Sequence, residues 1–268
     1  MRRVGLLGAG AIGMAVVQAF EAGKVAGHAL TSVLARPRQL EALERLNSRA
    51  LITSDPDEFL NTPTDVVVEA IGHDATLALG PSILERGRDL YLMSVGVLAD
   101  RNVRDRFESA VSRNSARVVI PSGALAGFDG LRALSKLDGC EVTYTSTKPP
   151  SAWSDTPGEA VIRRYGPDEV VLIFDGPAAL AALQFPKNAN VAAAVALAGV
   201  GFERTRVRLV SDPGCMENVG GIEARTSTSV LHLCLSGRPF EENPKSSQIT
   251  VASIVAALVN HGSPLVWG

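Results

Sequence analysis

Gly8, Gly10 and Gly13 are spaced as G-x-G-x-x-G in the string GAGAIG, between a short apolar run and a stretch of helical periodicity. In that setting the first glycine permits a tight turn and the second admits a pyrophosphate against the backbone. The third lets helix and strand pack closely. A helix opening at Ala11 and Ile12 turns unpaired N–H groups toward the phosphate charge. Gly8, Gly10, Ala11, Ile12 and Gly13 are therefore the candidate dinucleotide contacts. Alone, the motif is equally a glycine-rich turn; its place at the head of a strand–helix alternation selects the dinucleotide. The next strand ends in Val33-Leu34-Ala35-Arg36-Pro37-Arg38, without the acid that usually binds the ribose hydroxyls of NAD. The pair Arg36 and Arg38 suits a 2′-phosphate and a stack on adenine, or else is a solvated basic turn. The expected cofactor is NADP or NAD, with the balance toward NADP.

Four stretches from Pro121 onward carry more than packing requires. PSGALAG (121–127) sets small residues after a strand, where backbone comes close to something. FPKNANVAAAVALAG (185–199) has Asn188 and Asn190 at the start of an alanine-rich helix. Asn188 is a good N-cap, whereas capping accounts less well for Asn190, whose amide can both donate to and accept from a carboxamide. ENPKSSQ (242–248) offers Lys245, Ser246 and Ser247 at an expected helix start, either an anion site or a capping serine beside a solvated lysine. MENVGGIEART (216–226) holds adjacent glycines, Gly220 and Gly221, between two strand-like runs: a turn, a bulge, or a gap at a working position.

These residues need a scaffold. VGLLG, ALTSVLA, TDVVVEAIG, DLYLMSV and RVVIP alternate with helical segments up to Pro121, the pattern of a doubly wound parallel α/β sheet. Beyond Pro121 the strand-like runs EVTYTST, EVVLIFD, TRVRLVSD and TSVLHLCLSG crowd together, as in an α+β domain with a mostly antiparallel sheet. The expected division is a dinucleotide-binding domain over 1–121, a substrate and dimerisation domain over 122–245, and a terminal helix over 246–268 that packs on either. SAWSDTPGEA (151–160) reads as a mobile loop.

Of 268 residues, 26 are Lys or Arg and 28 Asp or Glu, with no basic block of the kind that neutralises a phosphate backbone, so nucleic acid is not an expected partner. No apolar span reaches the ~20 residues of a membrane helix. Cys140, Cys215 and Cys234 lack CxxC spacing, so no metal site or disulfide framework is expected and a cytoplasmic setting is.

The chain resembles the L-aspartate dehydrogenase family over nearly its whole length. The resemblance is carried by GAGAIG, SVGVLAD (94–100), PSGALAGFDGLRAL (121–134), TKPP (147–150), FPKNANVAAAVALAG, the DP at 212–213 followed by Asn218, and NPKSSQI (243–249). It implies a homodimeric NAD(P)-dependent enzyme that interconverts L-aspartate and iminosuccinate, or oxaloacetate plus ammonia, a reaction that in some organisms supplies NAD biosynthesis. By matching position, Ala124 and Asn190 are cofactor contacts near the nicotinamide. Lys148 and Asn218 join Lys245, Ser246 and Ser247 as substrate-side candidates, for a small amino or oxo acid.

After DP the family reads Asn-x-His-x-Ile, with the histidine as its acid–base residue. Here the string is Asn218-Val219-Gly220-Gly221-Ile222, and glycine stands in the histidine's place. Three explanations stay open. A neighbour supplies the proton relay, with His73 preferred over His232, Lys148 and Lys245 because it follows the C-terminus of a strand. Alternatively the substrate is another small amino or 2-oxo acid that uses the enlarged pocket. The third is a homologue that binds NAD(P) without turning aspartate over.

Overall fold

The structure is a computed structural model that describes all residues except 47–48, 187–189, 241–242 and 266–268; residues 239–240 and 243–246 are described by backbone alone. Asn188 lies outside the described residues. The chain forms two compact units, Met1–Pro121 with Thr250–Gly268, and Ser122–Ile249.

In the first unit, β1 (Arg2–Leu7) leads through the glycine turn into α1 (Ala11–Glu21) and β2 (His28–Leu34). There follow α2 (Leu40–Glu44), β3 (Leu51–Thr53), α3 (Pro56–Asn61), β4 (Val66–Glu69), α4 (His73–Glu85), β5 (Asp89–Leu92), α5 (Arg101–Asn114) and β6 (Val118–Val119). All pairings are parallel and the order is β3-β2-β1-β4-β5-β6, so the chain reverses direction of travel across the sheet between β1 and β4. Sheets of this order bind dinucleotides outside the carboxyl ends at that switch point. Every residue of β4 and β5 is buried, which is why those runs lack polar alternation. Asp55 and Asp100 cap α3 and α5 by accepting from Asp57 N and Asn102 N, ending the preceding loops sharply. β3 and α3 went unread in the sequence because a three-residue strand carries no measurable period.

The second unit runs through α6 (Phe128–Leu134), β7 (Glu141–Lys148), α7 (Pro157–Ile162), β8 (Val171–Pro177), α8 (Ala178–Gln184), α9 (Asn190–Ala198), β9 (Thr205–Ser211), β10 (Asn218–Arg225) and β11 (Val230–Gly237). A hairpin of β12 (Pro239–Phe240) and β13 (Asn243–Ser247) follows. The five-stranded sheet has the order β11-β10-β7-β9-β8, antiparallel except for β7 beside β9. Burial alternates along β9 and β10, so one face is packed and the other open. Ala192, Ala193, Ala194 and Ala196 are all buried in α9, small enough to let that helix lie close to its neighbours.

Two expectations need correction. Residues 151–160 are not a mobile loop: Pro150–Trp153 form a 3-10 turn, and Thr156 caps α7 by accepting from Gly158 N. Trp153 is completely buried, edge-on to Phe185, so burial of the indole outweighs the loop-like composition around it. Lys245 and Ser246 do not open a helix either; they belong to β13, and the terminal helix α10 (Gln248–His261) starts only after Ser247.

α10 joins the first unit, where Ile254 and Leu258 are buried in one cluster with Val4, Leu6, Val66 and Tyr91. Its last residue, His261, places Nε2 2.7 Å from Arg117 Nη2 and 3.7 Å from Asp89, in a group that also includes Arg2 and His28. Burial, reinforced by Arg2 and Arg117 and opposed by Asp89, holds this imidazole below its ordinary pKa. A histidine whose folded pKa is depressed binds its proton more readily in the unfolded chain. Stability is therefore complete above about pH 6.5 and falls as acidification carries the pH through the window below it. His261→Gln is expected to flatten the fall in melting temperature below about pH 6.5, as read from thermal melts across pH.

Candidate active site

The glycine turn of the first unit is shaped as a dinucleotide requires. Gly8 has φ +97°, and a Cβ added there would lie 2.5 Å from the Ala70 carbonyl oxygen. A Cβ on Gly13 would be driven into the Gly8 carbonyl oxygen, so neither position accepts a side chain. Gly10 differs, since no described residue lies within 4 Å of an added Cβ. Among the described residues no side chain caps α1, so the N–H groups at its start, Ala11, Ile12 and Gly13, are left for a ligand. An exposed helix start with an open, Cβ-free approach fits a pyrophosphate. Arg36 stands exposed after β2, before a 3-10 turn at Pro37–Gln39.

Sequence reasoning missed Gln39. Its Nε2 donates to the Ala9 carbonyl at 2.6 Å and its Oε1 accepts from Arg36 N at 3.2 Å, tying the glycine turn to the arginine loop. Glu69, the last residue of β4, was missed as well and is wholly buried. The signal was present: one acid ends the apolar run TDVVVEAIG. His73 is the first residue of α4 and is half-buried, on the same carboxyl edge of the sheet as the glycine turn.

In the second unit, several candidates converge on one sheet edge. Val219 pairs with Thr147, which sets Asn218 and Lys148 at neighbouring strand ends. Asn218 in turn pairs with Gly237, and a Cβ on Gly237 would lie 2.7 Å from the hydroxyl of buried Ser247. Ala124 lies in the half-buried loop between Ser122 and Gly127, and Asn190 is the half-buried first residue of α9.

Gly220 sits two residues in from Asn218, in unbroken register with Ser146 on one side and Leu235 on the other. It is neither a turn nor a bulge, and its φ is not positive. Its inner-face surroundings correct the expected enlarged pocket. A Cβ at Gly220 would meet Leu125 Cδ1 at 3.0 Å and the Tyr144 ring and hydroxyl at 3.7 and 3.8 Å. Burial pushes the Tyr144 phenol up to about 12, against a hydrogen bond with Ser146. Tyr144 therefore stays protonated at neutral pH and is no base. His232 is set aside as a relay: it pairs with Glu223 on the open face of the sheet, opposite to Gly220. Among the described residues no group of His, Cys, Asp and Glu is arranged to hold a metal ion.

Comparison with known proteins decides the family. The profile described as "Homoserine dehydrogenase, NAD binding domain" matches residues 8–121, and that described as "Aspartate dehydrogenase, C-terminal" matches residues 129–261. L-aspartate dehydrogenase of Polaromonas sp. strain JS666 is 40% identical over 271 residues, covering 99% of this chain and all of the relative. The chain belongs to the L-aspartate dehydrogenase family. The family's enzyme from Methanosarcina barkeri is 34% identical with both chains fully covered. The crystal structure of Thermotoga maritima aspartate dehydrogenase superposes with a TM-score of 0.75 at 25% identity, again over all of both chains. An archaeal homoserine dehydrogenase solved with NADPH shares the fold, with a TM-score of 0.61 at 10% identity. This family member is thus an NAD(P)-binding oxidoreductase in which the position the resemblance gives to a histidine is a glycine in mid-strand.

Proposed function

We propose that the protein is an NAD(P)-dependent L-aspartate dehydrogenase. The observation that carries this is the end-to-end match to L-aspartate dehydrogenases, across both the dinucleotide-binding and the C-terminal regions. L-aspartate gives up a hydride from Cα and a proton from its amine to become iminosuccinate, which water hydrolyses to oxaloacetate and ammonia. When bound, the nicotinamide supplies the hydride acceptor.

The protein's own part is binding, orientation and proton handling. The turn at Gly8, Gly10 and Gly13 receives the pyrophosphate with the N–H groups of Ala11 and Ile12. Ala124 and Asn190 are assigned to the nicotinamide. Lys148, Asn218 and Ser247, with Lys245 and Ser246 on the same strand as Ser247, are assigned to the substrate. Two carboxylates on one small molecule call for cationic and hydroxyl donors, which this set supplies. Neither Leu125 nor Tyr144, the inner-face neighbours of Gly220, can take up a proton. Of the side chains present, His73 is the preferred relay candidate, since an imidazole can both accept and donate a proton, and it is expected to be far less efficient than the strand histidine the resemblance implies.

Steady-state turnover of L-aspartate and a panel of other amino acids, with NAD and with NADP, tests the reading. Preference for another amino acid would transfer the activity to that substrate, and no turnover of any would leave a binding protein.

NADP is the proposed preference. Arg36 supports it, standing where a carboxylate would select NAD. NADPH is expected to bind more tightly than NADH, with Arg36→Ala removing about 1.5–3 kcal/mol of the difference. Equal dissociation constants for the two cofactors, unchanged by the substitution, would reject this. We further propose a cytoplasmic homodimer contributing to NAD biosynthesis; the open face of the five-stranded sheet is the surface that pairing of two copies would cover, and sedimentation of the purified protein checks it.

A further inference from the structure

Glu69 has a side chain with 0% exposure at the carboxyl end of β4, next to the switch point of the sheet. Its Oε1 accepts from Ile71 N at 2.9 Å, Gly72 N at 3.1 Å and Ser94 Oγ at 2.9 Å. Its Oε2 accepts from Met93 N at 3.1 Å and Ser94 N at 2.7 Å. All five partners are donors, drawn from the loop after β4 and the loop after β5. A buried carboxylate is tolerated only where its lone pairs are met this fully. One side chain thus fixes two loops that no backbone ladder joins.

These loops occupy a particular half of the dinucleotide crevice. In a sheet of this order, the mononucleotide half on the β1-β2-β3 side takes the adenosine, and the half on the β4-β5-β6 side takes the nicotinamide. The Glu69 loops lie on the second side. Ile71 in the first loop is half-buried and apolar, and half-buried Met93 in the second packs against the core cluster that holds Val4, Leu6 and Tyr91. The first loop also lies against the glycine turn, since a Cβ on Gly8 would be 2.7 Å from Ile71 Cα.

We infer that Glu69 is the positioning residue for the nicotinamide half of the cofactor, setting the spacing of the Ile71–Gly72 and Met93–Ser94 backbones across which the ring lies. The inference rests on the proposed NAD(P)-dependent activity. It differs from a general structural role in one measurable respect: ligands that reach past the pyrophosphate should sense the change more strongly than ADP does.

The test is Glu69→Gln, which keeps the size but turns an NH₂ group toward backbone donors. Dissociation constants for NADPH, NADH and ADP are measured by calorimetry on the intact protein, with a thermal melt beside them. The dinucleotide constants are expected to rise by ~10–100-fold and that for ADP by at least about fivefold less, because a buried hydrogen-bonding mismatch acts on both loops while only the first of them touches the glycine turn. Ser94→Ala removes one hydroxyl donor and leaves the carboxylate in place. It is expected to shift the dinucleotide constants by ~3–10-fold in the same selective way, and it decides the matter if Glu69→Gln does not fold. Equal losses for ADP and the dinucleotides, or no loss in a folded variant, would overturn the inference. Failure of the unaltered protein to bind NADH or NADPH at all would instead remove the dehydrogenase reading on which it stands.

Discussion

Gly220→His is expected to raise L-aspartate turnover by ~10²–10⁴-fold, the usual worth of a positioned general acid–base group. The backbone permits it: Gly220 is in regular antiparallel register on both sides and is not among the positive-φ glycines. The obstacle is Leu125, whose Cδ1 would stand 3.0 Å from the new Cβ. That atom ends a flexible side chain, so it can yield, at an overpacking cost of about 1–3 kcal/mol. Leu125→Ala combined with Gly220→His removes that contact and seats the imidazole with less strain, although loss of the buried Leu125 side chain itself costs about 2–5 kcal/mol. The measurement is the steady-state rate with L-aspartate for the natural protein and both variants, each with a melting curve. The natural protein should be slow. Brisk turnover without the substitution would show that another group already relays the proton, and His73→Ala would then be expected to abolish it.

The glycine turn offers a second large effect, one that separates binding from folding. Gly10→Val should lower the melting temperature by only a few degrees, the cost of a poorer N-cap, because no described residue lies within 4 Å of the added Cβ. It should nevertheless raise the dissociation constants of NADH and NADPH by ~100-fold or more, since a branched side chain then occupies the phosphate approach and holds it away from the helix N–H groups. Gly13→Ala should lose both properties. Its methyl group meets the Gly8 carbonyl, and β1 and α1 must move apart to accept it. Calorimetric titration and thermal melts on the two variants distinguish the cases. Equal melting temperatures for Gly10→Val and Gly13→Ala would contradict the packing role assigned to Gly13.

Much of the site was legible in the residue string because its physics is local. A glycine triplet between a strand and a helix has a fixed meaning wherever the chain goes, and an arginine in place of an acid at the end of β2 is read from two or three positions. The alternation of strands and helices up to Pro121 likewise follows from neighbouring residues, as does the buried, unbroken run of β4. The absence of an imidazole at Gly220 is also a property of the string, once the flanking Asn218 and Ile222 set its register.

Other features needed the tertiary structure, because their causes lie far apart in sequence. Glu69 reads as one acid in an apolar strand; its meaning comes from Met93 and Ser94, 24 and 25 residues away, which close over it. Residues 151–160 have the composition of a loop, yet Trp153 finds Phe185 and is buried, which orders the segment. Lys245 and Ser246 precede a helix in sequence but lie in β13, whose Asn243 and Ser247 pair with β12, a choice between partners that a local pattern does not express. The void expected at Gly220 is closed by Leu125 and Tyr144, from separate elements of the same unit. A missing side chain is visible in sequence; the atoms that fill its space are decided by packing.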